Sequence, residues 1–359
     1  MSELNRRQMQ GAGLIASIAA AAVGAVALGF ELERQVVGRR IRRREIDATP
    51  LFELASPARR VTTTDGIGLH VEIDEPASDV PADRATVVFV HGYVLTLHCF
   101  HFQRKALRGR RRLVLYDQRS HGRSDRSDPD HCRVSQLGED LQRVLAETTE
   151  PGERVILIGH SMGGMTIMDY ASRFPEEFEQ KVVGVGLIAT SSGDLSKHSI
   201  VPGISGNVFS ALAPGLLAVL SRAPQAVERT RRFGSDIAHV ITKRFAYGSD
   251  SSPELVEFMA QMIAQTPLEV IADFYPAFAA FDGRAGLERI QQVESMVIGG
   301  AQDVILPLAH TERVIERLPA ADSWIDPDGG HMVMLGHAEE CNAMIDKLVE
   351  RAERHIARV

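Results

Sequence analysis

From about residue 60 onward, the chain alternates short apolar runs with stretches whose apolar residues recur at helical spacing. Residues 61–64 and 69–73 alternate apolar and polar positions around the turn Asp65-Gly66-Ile67-Gly68, a pattern that predicts a hairpin. Nearly continuous apolar runs follow at 86–90, 112–116, 155–158, 182–188 and 296–298. A strand with one wet face would alternate, so unbroken runs predict strands covered on both faces. Between them, residues 136–147, 162–174 (stopped by Pro175), 308–318 and 338–354 carry helical periodicity. Alternating strand and helix predicts an α/β fold, with a mainly parallel sheet and helices on both faces.

The alternation breaks between residues 191 and 281, where helical segments at 208–220, 226–243, 253–265 and 268–280 run without a strand. We read 59–190 and 282–359 as one α/β core and 191–281 as a helical cap inserted into it. Nine of the chain's 20 aromatic residues fall in this insert: Phe209, Phe233, Phe245, Tyr247, Phe258, Phe274, Tyr275, Phe278 and Phe281. Some are expected to form the core of the cap and others to line an apolar pocket beneath it.

Before the core, residues 1–58 comprise a hydrophobic span at 11–30 and a basic linker interrupted by Pro50 and Pro57. The span holds no charge over 20 positions, about the length that crosses a bilayer as a helix. Its seven strongly apolar side chains supply on the order of 3 kcal/mol towards insertion, at roughly 0.3 to 0.6 kcal/mol each. Three readings are open. As an anchor, its following flank carries Arg34, Arg39, Arg40, Arg42, Arg43 and Arg44, against Arg6 and Arg7 before it, which keeps the catalytic part cytoplasmic under the positive-inside rule. As an export signal, Asn5-Arg6-Arg7-Gln8-Met9-Gln10 is similar to a twin-arginine leader, and Ala25-Val26-Ala27 to a cleavage site. The third reading is a buried Ala-rich helix. The expectation carried forward is a single span at the cell membrane.

Composition removes several classes. The chain has 359 residues, 44% apolar and 24% charged, which suits a folded enzyme and excludes collagen-like and disordered chains. With 40 Lys and Arg against 47 Asp and Glu the net charge is −7, so a nucleic-acid partner is not expected. Cys99, Cys132 and Cys341 are odd in number and widely spaced, which indicates neither a disulfide framework nor a structural zinc site.

The chemistry concentrates at strand ends. Gly159-His160-Ser161-Met162-Gly163 follows the run 155–158 and opens the helix 162–174, the strand-turn-helix setting of a nucleophile elbow. Its glycines keep side chains out of a strained turn that lifts the Ser161 hydroxyl to the sheet edge. A serine hydroxyl needs a base and an acid that orients the base. His331, in Asp328-Gly329-Gly330-His331-Met332 after the run 323–325, and Asp303, in Gly299-Gly300-Ala301-Gln302-Asp303-Val304 after the run 296–298, both lie where catalytic groups gather in open α/β sheets. Asp194 is a rival acid, and His98, His101, His310 and His337 are read as surface or packing residues. The oxyanion that forms on acyl transfer is expected to be met by the N–H groups of Met162 and of Tyr93 in His91-Gly92-Tyr93, with His91 bracing that loop.

These motifs, with Tyr116-Asp117-Gln118-Arg119-Ser120-His121-Gly122-Arg123-Ser124, resemble a serine-nucleophile α/β-hydrolase with a helical cap over residues 60 to 350. Ser120 departs from the Gly usual in that segment of relatives. The resemblance implies an α/β-hydrolase fold, the triad Ser161, Asp303 and His331, and no metal or organic cofactor. It disfavours the dehalogenase and epoxide-hydrolase branches, which use Asp as nucleophile. The expected activity is hydrolysis of a lipophilic carboxylic ester, such as a lipid or monoacylglycerol. Thioesterase, amidase, carbon–carbon bond hydrolase, cofactor-free perhydrolase and non-enzymatic ligand receptor stand as alternatives on the same fold.

Overall fold

In the computed structural model, described for residues 51–81, 84–195, 247 and 252–356, every apolar run named above becomes a strand. The strands are β1 (Ala58–Thr62), β2 (Gly68–Asp74), β3 (Thr86–Val90), β4 (Leu113–Tyr116), β5 (Val155–His160), β6 (Val182–Ile188), β7 (Glu294–Gly300) and β8 (Asp322–Asp326). They form one sheet in the order β1-β2-β4-β3-β5-β6-β7-β8. The β1–β2 and β2–β4 pairings are antiparallel and the other five are parallel. Each parallel connection carries helical segments that cover one face or the other.

The helices are α1 (His101–Leu107), α2 (Val134–Thr148), α3 (Met162–Arg173), α4 (Pro175–Lys181), α5 (Pro253–Gln265), α6 (Leu268–Ala279), α7 (Arg284–Ile290), α8 (Ala309–Arg317), α9 (Val333–Gly336) and α10 (Ala338–Ile356). Strand side chains alternate between faces. Val88, Val90, Leu157, Val185 and Leu187 join a core that includes Leu141 and Val144 of α2, Ile167 of α3 and Leu287 of α7. On the other face Gly184 and Gly186 leave room for Ala352 and Leu348 of α10. Pro175 does more than stop α3: it occupies the first turn of α4, where its missing N–H costs nothing.

Within the region read as cap, the described part holds α5 and α6, while 196–246 and 248–251 lie outside the described residues, as do Phe209, Phe233 and Phe245. The span 11–30 also lies outside them. Among the described residues no helix is long and apolar enough to cross a membrane.

Residues ahead of β1 are held by a buried charge cluster. Arg104 of α1 donates from Nε and Nη2 to Asp74 at 2.8 and 2.7 Å, and from Nη1 to Glu72 at 2.7 Å and to the Leu54 carbonyl at 3.0 Å. The Ser56 N–H donates to Glu72 at 3.1 Å, and Arg108 reaches the Ala55 carbonyl at 3.1 Å. Phe52 sets its ring 4.4 Å from that of Phe258 on α5. The contacts of 52–56, read from sequence as linker, are thus those of the catalytic unit, which starts at Thr49 by its internal contacts.

Asp169 on α3 gives the fold a pH dependence. Its Oδ2 lies against Gly138 of α2 without a hydrogen-bond partner, and the Arg173 Nε is 3.7 Å away. Burial pushes its pKa up to about 7, Arg173 opposes the rise and Glu139 adds to it. A carboxyl raised above its unfolded value of 3.8 holds a proton in the folded state that the unfolded chain has lost, so stability falls as pH rises from about 4 to about 7. Asp169→Asn is expected to raise the Tm at pH 8 and to leave it nearly unchanged at pH 4, as differential scanning calorimetry would read; equal shifts at both pH values would refute this account.

Candidate active site

The site is assembled at the C-terminal ends of β3, β5, β7 and β8. Ser161 sits between β5 and α3 with φ 54 and ψ −118, a conformation that costs a non-glycine residue energy and that its surroundings enforce. Its N–H donates to the Ile188 carbonyl at 2.9 Å, and its carbonyl accepts from the Thr190 hydroxyl at 2.7 Å. The elbow leaves no room for side chains: a Cβ at Gly163 would stand 1.9 Å from the Val90 carbonyl oxygen, and one at Gly159 would stand 2.7 Å from the Gly163 backbone.

His331 and Asp303 converge on this serine. His331 Nε2 is 2.9 Å from Ser161 Oγ, and His331 Nδ1 is 2.7 Å from Asp303 Oδ2. The carboxylate can only accept, so the imidazole proton sits on Nδ1 and Nε2 is free to accept from the hydroxyl. Asp303 Oδ1 accepts from the N–H groups of Ile305 and Leu306, each at 2.8 Å, which fixes the carboxylate plane. All three side chains are buried. An arrangement of this kind can raise the nucleophilicity of a hydroxyl and return its proton to a leaving group.

The donors expected for an oxyanion flank Ser161. Met162 is the first residue of α3, so its N–H has no partner inside the helix. Tyr93 follows Gly92, where a Cβ would stand 2.7 Å from His160 Nδ1 and 3.2 Å from Ser161 Cβ. Neither N–H donates to a backbone carbonyl among the described residues. Both side chains meet α6: Met162 packs with Val270 and Phe274, while the Tyr93 hydroxyl donates to the Ile271 carbonyl and its ring lies 5.0 Å from Phe278. Tyr247, Phe258, Phe274 and Phe281 are buried, whereas Tyr275 and Phe278 are half-buried.

The rival residues lie elsewhere. Asp194 is exposed, with its carboxylate 3.9 Å from Arg313. His98 packs on Phe52, His101 on Phe102, His310 bonds Ser191 at 2.7 Å and His337 bonds Asp326 at 2.8 Å. His91 is buried; burial first, then His121, lowers its pKa to about 3. Ser120 takes φ 63, the region that favours the Gly usual there, and its hydroxyl accepts the Ser127 N–H at 3.0 Å.

Two residues near the site escape a motif search. His160 is the unspecified position of the elbow, yet its Nε2 donates to the His331 carbonyl at 3.0 Å and so holds the loop of the base. Gln118 is one polar residue in the segment 116–124 that carries the resemblance, with no chemical role read for it from sequence. Among the described residues no group of three or more His, Cys, Asp or Glu side chains is placed to hold a metal.

A profile of the Alpha/beta hydrolase family matches residues 87–344. The chain is 27% identical over 237 residues to 3-oxoadipate enol-lactonase 2 of Acinetobacter baylyi, covering 66% of this chain and 78% of that protein. It is 27% identical over 258 residues to the sn-1-specific diacylglycerol lipase of Mus musculus, covering 71% and 78%. The structure aligns with an esterase from Exiguobacterium antarcticum at a TM-score of 0.65 and 18% identity, over 82% of this chain and 100% of the esterase.

Proposed function

The chain belongs to the alpha/beta hydrolase family, and from that premise we propose that it is a serine hydrolase that cleaves carboxylic esters through an acyl-enzyme. The observation that carries this reading is the relay from Ser161 Oγ to His331 Nε2 at 2.9 Å and from His331 Nδ1 to Asp303 at 2.7 Å.

Ser161 attacks the acyl carbon while His331 takes its proton. The imidazolium is steadied by Asp303, and the oxyanion is met by the Met162 and Tyr93 N–H groups. His331 then hands the proton to the departing alcohol, which leaves Ser161 acylated. A water molecule, deprotonated by the same imidazole, releases the acid and restores the hydroxyl.

A lipophilic acyl or alcohol group suits the aromatic pair that Tyr93 and Phe278 form beside the oxyanion donors. The ester-cleaving names of the relatives support the bond type: a lactone is a cyclic ester, and a diacylglycerol lipase cuts a glycerol ester. The arginines that follow 11–30 support a single span at the cell membrane with the catalytic part on the cytoplasmic side.

The test is a panel of matched esters, thioesters and anilides with acyl chains of graded length. The expected result is ester turnover that rises with chain length beyond acetate, with anilides slower by orders of magnitude. Thioester turnover that exceeds the matched ester at every length would reassign the enzyme to thioesters.

A further inference from the structure

Gln118 is a buried polar side chain that the steps above do not use. It follows β4, yet its carboxamide reaches past the end of β3 to α3, the helix that follows β5. Its backbone N–H donates to His91 Nε2 at 2.9 Å, and its Nε2 donates to the His91 carbonyl at 2.6 Å. Its Oε1 accepts from the Thr166 hydroxyl at 3.0 Å, a hydroxyl that also lies 3.0 Å from the Met162 carbonyl. Because His91 Nε2 accepts, the imidazole proton sits on Nδ1 and donates to the Gly92 carbonyl at 2.7 Å. With its pKa lowered to about 3, first by burial, His91 stays neutral and keeps this pattern at neutral pH.

One carboxamide therefore ties peptide 91–92, which leads into the Tyr93 N–H, to Thr166, one turn into α3, the helix that begins with the Met162 N–H. The sheet does not make this tie, since the β3–β5 pairing ends at Val90 and Gly159. Contact between Gly163 and the Val90 carbonyl limits how closely α3 can approach the loop, but a steric contact cannot stop the two from separating. Hydrogen bonds through Gln118 supply the opposing pull. An oxyanion must stand about 2.7 to 3.1 Å from both donors, so the gap between them is a catalytic dimension.

We propose that Gln118 is a positioning residue that sets the separation of the two oxyanion-binding N–H groups, a role that rests on the acyl-enzyme reading above. It touches neither substrate nor Ser161 and acts through His91 and Thr166.

The experiment compares Gln118→Met and Thr166→Val, alone and combined, in the full chain. Active sites are counted by fluorophosphonate titration, so a poorly folded fraction does not enter the rates. Readouts are kcat and KM on a p-nitrophenyl ester and the Ki of a trifluoromethyl ketone, which places an oxyanion in the hole. Gln118→Met is expected to lower kcat about 10- to 100-fold, below the loss from removing a donor outright, with KM within about twofold. The ketone Ki should rise by the same factor. Thr166→Val should give a smaller loss in the same direction, and the double variant should be no worse than Gln118→Met, because both cut one tie. Should Gln118→Met not fold, Thr166→Val carries the same comparison of kcat with Ki. Unchanged kcat and Ki per titrated site, or a rise confined to KM, would overturn the assignment. Hydrolysis at close to the wild-type rate in Ser161→Ala would remove the acyl-enzyme reading and this role with it, and that result is distinct from a wild-type rate in the Gln118 variant.

Discussion

Ser161→Ala is expected to lower kcat on esters by about 10⁶ and to abolish labelling by a fluorophosphonate. The size follows from what is lost: without the hydroxyl, His331 has no nucleophile to deprotonate and no acyl-enzyme forms. The oxyanion donors remain and leave a residual rate about 10³ to 10⁴ above water. The fold should survive, since alanine keeps the Cβ and the Ser161 backbone bonds to Ile188 and Thr190. A specific competitor exists in Ser191, whose hydroxyl is 2.7 Å from His310 Nδ1. Labelling that persists in Ser161→Ala and disappears in Ser191→Ala would move the nucleophile there. The Ser191 hydroxyl, however, is fully buried and also bonds the Gly193 carbonyl at 2.9 Å, so it is held in place rather than presented to a ligand.

The second large effect is expected from Asp303→Asn, at about 10⁴ in kcat. The amide can turn its NH₂ towards His331 Nδ1, which forces the imidazole proton to Nε2 and points an N–H at the serine that should be losing its own. The backbone donors Ile305 and Leu306 still need an acceptor, so the amide oxygen is pinned to them and the wrong tautomer is favoured. Because the defect is one of protonation, KM should change little and activity should return in part at high pH. Asp194→Asn is expected to stay within about twofold of wild type, in keeping with its exposed place beside Arg313. The reverse pattern, Asp194→Asn inactive and Asp303→Asn active, would exchange the two acids.

Much of the fold was legible because strands buried on both faces cannot hide their apolar runs. Each such run became a strand, and the turns that follow β5, β7 and β8 could be recognised by glycines that a tight approach demands. Chain order and strand-end position pointed to Ser161, Asp303 and His331 with Asp194 as a rival acid, and the fold brings the first three into one hydrogen-bonded line. What was not legible were contacts without periodicity. Gln118 meets Thr166 across 48 positions, and His160 meets the His331 carbonyl across 171, so no local pattern announces either. Asp194 looked plausible for the same reason: its place after β6 fits, and only three-dimensional direction separates it from Asp303. Residues 54–56 looked like linker because what holds them is their own backbone and one serine, gripped by Arg104, Arg108 and Glu72.

That grip decides where the enzyme may be trimmed. A cut just ahead of β1 crosses no apolar run, but it would strip the Leu54 carbonyl from Arg104 and the Ser56 N–H and hydroxyl from Glu72 and Asp74. Buried ions that lose a partner are costly, and water would enter beside β2 to replace it. It would also take Phe52 from Phe258 on α5. A recombinant form without residues 11–30 should therefore start ahead of Leu51, and a protease site introduced to release the catalytic unit belongs in the arginine-rich stretch before Pro50.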